Sequence, residues 1–230
     1  MKKIITILAT LMLTTISFNF AKAEGFAVGV TGAYNMIEAD GTETEGTAAD
    51  TSTRTKSVSN NVFTGSVFGE YSFANVSYAN SGVTFGVRYT PGAADVSDKV
   101  FSRTDTAEGT GAAGSSSGSV TYKAQAEIDN YINYYLDIPL YNNLYVKAGW
   151  SQIDVNTKES GGTNTGKYGN STLDGINYGI GVKGENGNMV WKLAYEATNF
   201  DTLNLTSTTS NKIKADLDTS EVNLSVGYKF

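Results

Sequence analysis

Glu221-Val222-Asn223-Leu224-Ser225-Val226-Gly227-Tyr228-Lys229-Phe230 is the last stretch of the chain. Every even position is apolar, every odd one is polar or glycine, and the final residue is aromatic. A repeat of two sends successive side chains to opposite faces of a strand. The stretch is therefore a strand with one apolar and one wet face, and with no apolar partner elsewhere in the pattern the apolar face reads as lipid-facing.

The amino-terminal end is consistent with export. Lys2 and Lys3 precede a run from Ile4 to Phe20 interrupted only by Thr, Ser and Asn, and Ala21-Lys22-Ala23 has the small-x-small spacing of a cleavage site. We expect residues 1–23 to be a removable leader and 24–230 to be one β domain; an uncleaved anchor helix is the alternative, for which the apolar run is short. Without Lys2, Lys3 and Lys22, the 17 basic residues fall to 14 against 23 acidic, a formal charge of −9. Nucleic acid needs a basic surface and is not an expected partner. The chain has no Cys and no His, so disulfides, thiolate chemistry and any mechanism with a histidine base are excluded.

The same alternation recurs along the chain. Phe26, Val28, Val30, Tyr34 and Met36 alternate with small or polar residues, as do Val67, Tyr71 and Phe73, then Val83, Phe85, Val87 and Tyr89. A longer segment puts Ala124, Ala126, Ile128, Ile132, Tyr134 and Leu136 on one face with Asn130. Its other face carries Glu127, Asp129, Tyr131, Asn133, Tyr135 and Asp137. Leu144 to Trp150, Ile176 to Val182 and Met189 to Ala197 follow the rule, and the terminal strand is the eighth. Segments 38–61, 91–119, 154–172 and 199–219 read as long polar loops, whereas 74–81, 139–143 and 184–188 are short. Long loops on one rim and short turns on the other, with an even strand count, fit an eight-stranded antiparallel transmembrane up-and-down β-barrel. Ten strands remain open if part of 91–119 or 199–219 pairs.

A soluble exported sandwich or lipocalin-like barrel would place the apolar face inside. The polar face chooses against it, because Ala27, Gly29, Ala33, Gly86, Gly149, Gly179, Gly181 and Gly227 are the small residues that the crowded interior of a narrow barrel needs. Tyr34, Tyr71, Phe73, Tyr89, Trp150, Trp191, Tyr228 and Phe230 lie on the apolar face as interfacial girdles do. Asn130 and Asp174 fall on the lipid-facing phase and are the exceptions to that pattern.

Leader, eight alternating segments, long loops and the terminal Val226-Gly227-Tyr228-Lys229-Phe230 resemble the small OmpA/OmpX/Opa-type bacterial outer-membrane barrels over essentially the whole mature chain. The resemblance implies the outer membrane of a Gram-negative bacterium, reached through the periplasm, with outer-membrane lipid and lipopolysaccharide around the barrel. It also implies that Val226, Tyr228 and Phe230 form the membrane-insertion signal read by the barrel assembly machinery. No cell-wall-binding domain is expected after the barrel, and tethering to peptidoglycan is not carried over from the resemblance.

On this phase the inward charges are Glu70, Glu127, Asp129, Glu196 and Glu221 against Arg88, Lys147, Lys183, Lys192 and Lys229. Five against five predicts a salt-bridged polar network filling the lumen, since buried charge needs a partner; a narrow water or ion path is the alternative. Gly179 to Gly184 matches a dinucleotide fingerprint and Gly161 to Lys167 a phosphate loop, yet neither stands between a strand and a helix, and Tyr168 replaces the required hydroxyl. No cofactor, metal site or enzymatic activity is expected, and no regularly spaced carboxylate loop for a cation is present. The expected role is structural and surface interaction, with four loops displayed. A porin-like channel, and an adhesin acting through 38–61 and 91–119, are the alternatives.

Overall fold

The computed structural model describes residues 25–47, 50–73, 82–107, 117–160, 167–208 and 210–230. The expected leader lies outside them. The chain runs as β1 (Phe26–Thr47), β2 (Asp50–Ser72), β3 (Thr84–Thr90), β4 (Ala94–Asp95), β5 (Phe101–Ala107) and β6 (Ser117–Tyr141). There follow β7 (Leu144–Ser160), β8 (Ser171–Asn186), β9 (Met189–Phe200), β10 (Leu203–Thr206) and β11 (Lys212–Lys229).

Every pairing is antiparallel, and β11 returns to β1 from Ala27↔Lys229 to Thr44↔Lys212, which closes the sheet. Closure satisfies the backbone groups that an open edge would leave bare in lipid. The ring has eight strands although eleven segments are extended. β4 and β5 continue along β6 above β3, and β10 continues along β11 above β9, so both fill existing places in the ring.

Two expectations about the loops are corrected by these pairings. Segment 38–61 is a hairpin arm, because β1 and β2 stay in register from Phe26↔Tyr71 to Thr47↔Asp50. Most of the described residues in 91–119, 154–172 and 199–219 are likewise paired. The physical reason lies in Thr42, Thr44, Thr51, Thr53, Thr55 and Val58, whose β-branched side chains favour extended backbone, together with inward apolar residues that hold the arms together. At the opposite rim the connections are short. Asn142 and Gly187 take positive φ, 49° and 60°, in the tight turns after β6 and β8.

Polarity reverses at one height around the ring. On β7, Trp150 and Ala148 face outward and Lys147 and Ser151 inward; a few residues further, Ile153 and Val155 are inward and Gln152 and Asp154 outward. β8 changes between Ile176 and Leu173, and β11 between Val222 and Leu217. Below this height the outside is apolar, with Val30, Phe85, Leu136, Ile180, Leu193 and Leu224 all exposed. The row from Met189 to Ala197 on β9 rises roughly 20 Å at the usual strand rise and tilt, most of the height of a lipid-facing band. Above it, Ile37, Val96, Ile153, Val155, Leu173, Phe200, Leu203 and Leu217 form an apolar core inside the barrel. The chain is thus a transmembrane barrel of the outer-membrane type carrying a water-facing β extension with its own core.

The crossover height is marked by side-chain hydrogen bonds, Gln152 Nε2 donating to Asp174 Oδ1 at 2.9 Å and Asn199 Nδ2 to Asp218 Oδ1 at 2.7 Å. Asp174 is accounted for here. It belongs to the first polar ring above the belt, not to the lipid face.

Candidate functional site

Among the described residues, charged side chains are buried in quantity in the lumen of the membrane half. Residues facing inward from β2, β3, β6, β7, β9 and β11 meet there because ring closure brings distant strands around a common axis. Arg88 Nη2 lies 2.6 Å from Glu221 Oε1 and 3.3 Å from Glu196 Oε2. Lys147 Nζ donates to Glu196 Oε1 at 2.7 Å. Lys192 Nζ bonds Asp137 Oδ2 at 2.7 Å and also Glu70. Neutral groups complete the carboxylates, with Tyr135 Oη donating to Glu70 at 2.7 Å and Asn223 Nδ2 to Glu196 at 2.8 Å and to Glu221 at 2.7 Å.

Arg88, Lys147 and Lys192 face four acids in this set, and Lys183 supplies the fourth positive charge. It sits nearer the short-turn rim, donating to the Gly82 carbonyl at 3.2 Å and Thr84 Oγ1 at 3.1 Å. Large inward rings fill the space that small neighbours leave: Phe68 lies over Gly29, and Tyr145 over Gly181, where an added Cβ would meet Phe68 Cε1 and Tyr145 Oη at 2.6 Å each. Lys147 stands 4.0 Å from the centre of the Tyr135 ring. Packing and pairing occupy much of the charged interior at this level.

Of the residues expected to form the lumen network, Glu70, Arg88, Lys147, Lys192, Glu196 and Glu221 are brought together, with Lys183 at the network's short-turn edge. Lys229 is instead at the rim, 3.1 Å from Glu185 Oε2 and partly exposed. Glu127 and Asp129 are not in the lumen, and the assignment is corrected. Between Asp129↔Asp154 and Ile132↔Gln152 the β6 strand carries one residue more than β7, a bulge at Asn130 with φ of 54°. The extra residue inverts the phase above it, so Ile128 packs against the apolar core and Glu127 pairs on the outside with Lys158. Asn130 is held by Tyr89 Oη at 3.0 Å and Asp154 Oδ2 at 3.0 Å.

Asp137, fully buried, is the member that the inward charge tally omits. The alternation places it on the same face as Asn133 and Tyr135, which was the available signal. Val226 and Tyr228 lie on the outward face of β11 and Phe230 just past its end, each at least 39% exposed. The fingerprint-like Gly179 to Gly184 is wholly strand, within β8, and residues 161–166 of the phosphate-loop-like segment lie outside the described residues.

A second feature lies across the extended end. Tyr168, in the connection between β7 and β8, donates its hydroxyl to Glu43 Oε1 of β1 at 2.8 Å and its backbone N–H to Glu159 Oε2 at 3.0 Å. Thr208 N donates to the Lys167 carbonyl at 3.1 Å. This strap ties elements that are not ring neighbours. Burial and the adjacent Glu43 push the Tyr168 hydroxyl well above the usual tyrosine range, and burial raises Glu159 above the usual carboxylate range.

No protein-family model matches the chain, and no curated protein matches it. Solved structures do. The chain is similar to small outer-membrane β-barrels. Neisserial surface protein A is 13% identical over 90% of this chain and 97% of its own, with a TM-score of 0.39. Outer membrane protein OprG from Pseudomonas aeruginosa is 12% identical over 91% and 98%, with a TM-score of 0.43. The outer membrane protease OmpT from Escherichia coli is 8% identical over 90% and 97%, also at 0.43. None of these likenesses assigns a role to a side chain of this protein.

Proposed function

We propose that this protein is a membrane anchor that raises a stiff β extension above the bacterial outer membrane and presents its hairpin tips to the surroundings, in a structural and surface-interaction role without catalysis. The observation that carries the reading is the reversal of polarity at one height. A chain that merely crossed lipid would have no reason to build an apolar core beyond it, whereas a stalk meant to stand in water needs one. Outer-membrane lipid and lipopolysaccharide are its surroundings, and the barrel assembly machinery its partner during insertion, with Val226, Tyr228 and Phe230 as the signal.

Passive conduction is disfavoured on the same grounds. An ion would have to pass both the paired charges around Glu196 and the apolar core around Ile37 and Ile153, which offers no hydration. The test is an epitope inserted between Thr47 and Asp50, where the chain passes from β1 to β2, compared with one at Gly187. Antibody added to intact cells should label the first and not the second; the reverse pattern would overturn the orientation. Planar-bilayer recording of the refolded barrel should show no stepwise current, and steady steps abolished by Arg88→Gln would establish a channel.

A further inference from the structure

Lys183 and Lys192 are directly paired across β8 and β9, two ammonium groups facing the same interior from opposite positions. Like charges so placed repel each other unless each has a counter-ion. Lys192 has two, Glu70 and Asp137. Lys183 has none within ion-pair distance among the described residues, and its Nζ donates there to neutral oxygens, the Gly82 carbonyl at 3.2 Å and Thr84 Oγ1 at 3.1 Å.

Both lysines line a cavity of about 270 Å³ at the short-turn rim. Glu70 and Lys192, bonded to each other and buried, form its inner end; Lys229 and Glu185, 3.1 Å apart and partly exposed, stand at its mouth. The two carboxylates of its wall are thus already held by two of its three ammonium groups. The third charge, on Lys183, is left over. Part of the remaining wall is apolar. Ala27 and Val190 are buried there, and the Trp191 indole lies over Gly184, where an added Cβ would meet its Cε2 at 2.6 Å.

One surplus positive charge beside an apolar flank suits an anion that carries a short hydrocarbon body. A cation would meet three ammonium groups and find both carboxylates engaged. Inorganic phosphate would satisfy Lys183 but leave Val190 and Trp191 uncovered. We propose that this cavity is a binding site for a small organic carboxylate, its oxygens on the Lys183 ammonium and its hydrocarbon part against Val190 and Trp191. The site is separate from the paired charges around Glu196 and is entered from the short-turn rim. It does not depend on which rim faces the cell exterior.

The test uses the refolded chain in detergent micelles with Trp150→Phe, which leaves Trp191 as the single indole, titrated at matched ionic strength with sodium butyrate, inorganic phosphate or butylammonium chloride. Butyrate should shift the Trp191 emission saturably, phosphate should bind at least about tenfold more weakly, and butylammonium should give no saturable change. Lys183→Gln should weaken butyrate by about tenfold or more, the loss of one charge-assisted hydrogen bond, while heat-modifiable migration persists. If that variant does not refold, NMR of the Lys183 side chain in the unsubstituted protein decides, since butyrate should move its resonances and phosphate at the same concentration should not. A butyrate response that survives Lys183→Gln, phosphate or butylammonium binding as tight as butyrate, or no saturable response at all would overturn the assignment.

Discussion

Asn130 decides where its neighbours on β6 point. A left-handed φ of 54° strains most side chains, and asparagine tolerates it because its short amide bonds locally. We expect Asn130→Val to lower stability by about 1–3 kcal/mol and Asn130→Gly by much less, read from urea midpoints of the barrel in micelles. Glu196 is the residue on which the interior charges converge. Glu196→Gln leaves Lys147 with Asp137 at 3.9 Å as its nearest carboxylate, so a loss of about 3–5 kcal/mol is expected in the same assay. An unchanged midpoint would mean that the network contributes nothing to holding the barrel.

Between elements, small residues on one strand make room for rings on another. Gly181 on β8 lies under Tyr145 of β7, and a Cβ there would stand 2.6 Å from the phenol oxygen and 2.7 Å from the Leu193 carbonyl. Gly181→Ala should cost about 1–3 kcal/mol. Tyr145→Phe should recover only part of that, because the backbone contact persists. The strap over the extended end has a pH dependence of its own. Tyr168 holds its proton more tightly when folded, so its stabilising contribution is complete below the ordinary tyrosine range and is lost as pH rises above about 10. Glu159, also raised, acts in the same sense at acid pH: its contribution is present below the ordinary carboxylate range and falls away as pH rises through its folded value. The protection factor at Thr157, taken relative to the intrinsic base-catalysed exchange rate, should therefore fall in alkali, and Tyr168→Phe should remove that fall.

At the scale of the whole molecule, membrane and water-facing halves share strands but not cores. Ile153→Asp places a charge in the outer core while leaving the lipid belt intact. It should loosen exchange protection in β7 and β11 beyond the crossover height and spare heat-modifiable migration, the sign of an inserted barrel. Loss of both would show a single cooperative unit.

The eight-strand ring, its antiparallel order and the lipid-facing row were legible because a period of two is a local property: Leu224, Val226 and Tyr228 announce their face without reference to any other strand. The alternation also placed Glu70, Arg88, Lys147, Lys192, Glu196 and Glu221 on the inner face. It did not say which would touch. Arg88 and Glu196 are 108 positions apart and meet only because closing the ring sets the angle between β3 and β9. Glu127 and Asp129 were misplaced for a related reason, since a single added residue at Asn130 reverses every position beyond it and pattern alone has no means to see the insertion. The Thr-rich arms read as loops because their polarity signals solvent exposure on both faces, whereas Ile37, Ile153 and Leu217 close a core that exists only once opposite walls face each other. Sequence by itself settled the phase of each strand within the lipid belt, for there phase follows from covalent geometry and local chemistry. Register, bulge and the meeting of charges were decided by the tertiary structure, because they depend on distances between residues that closure alone brings near.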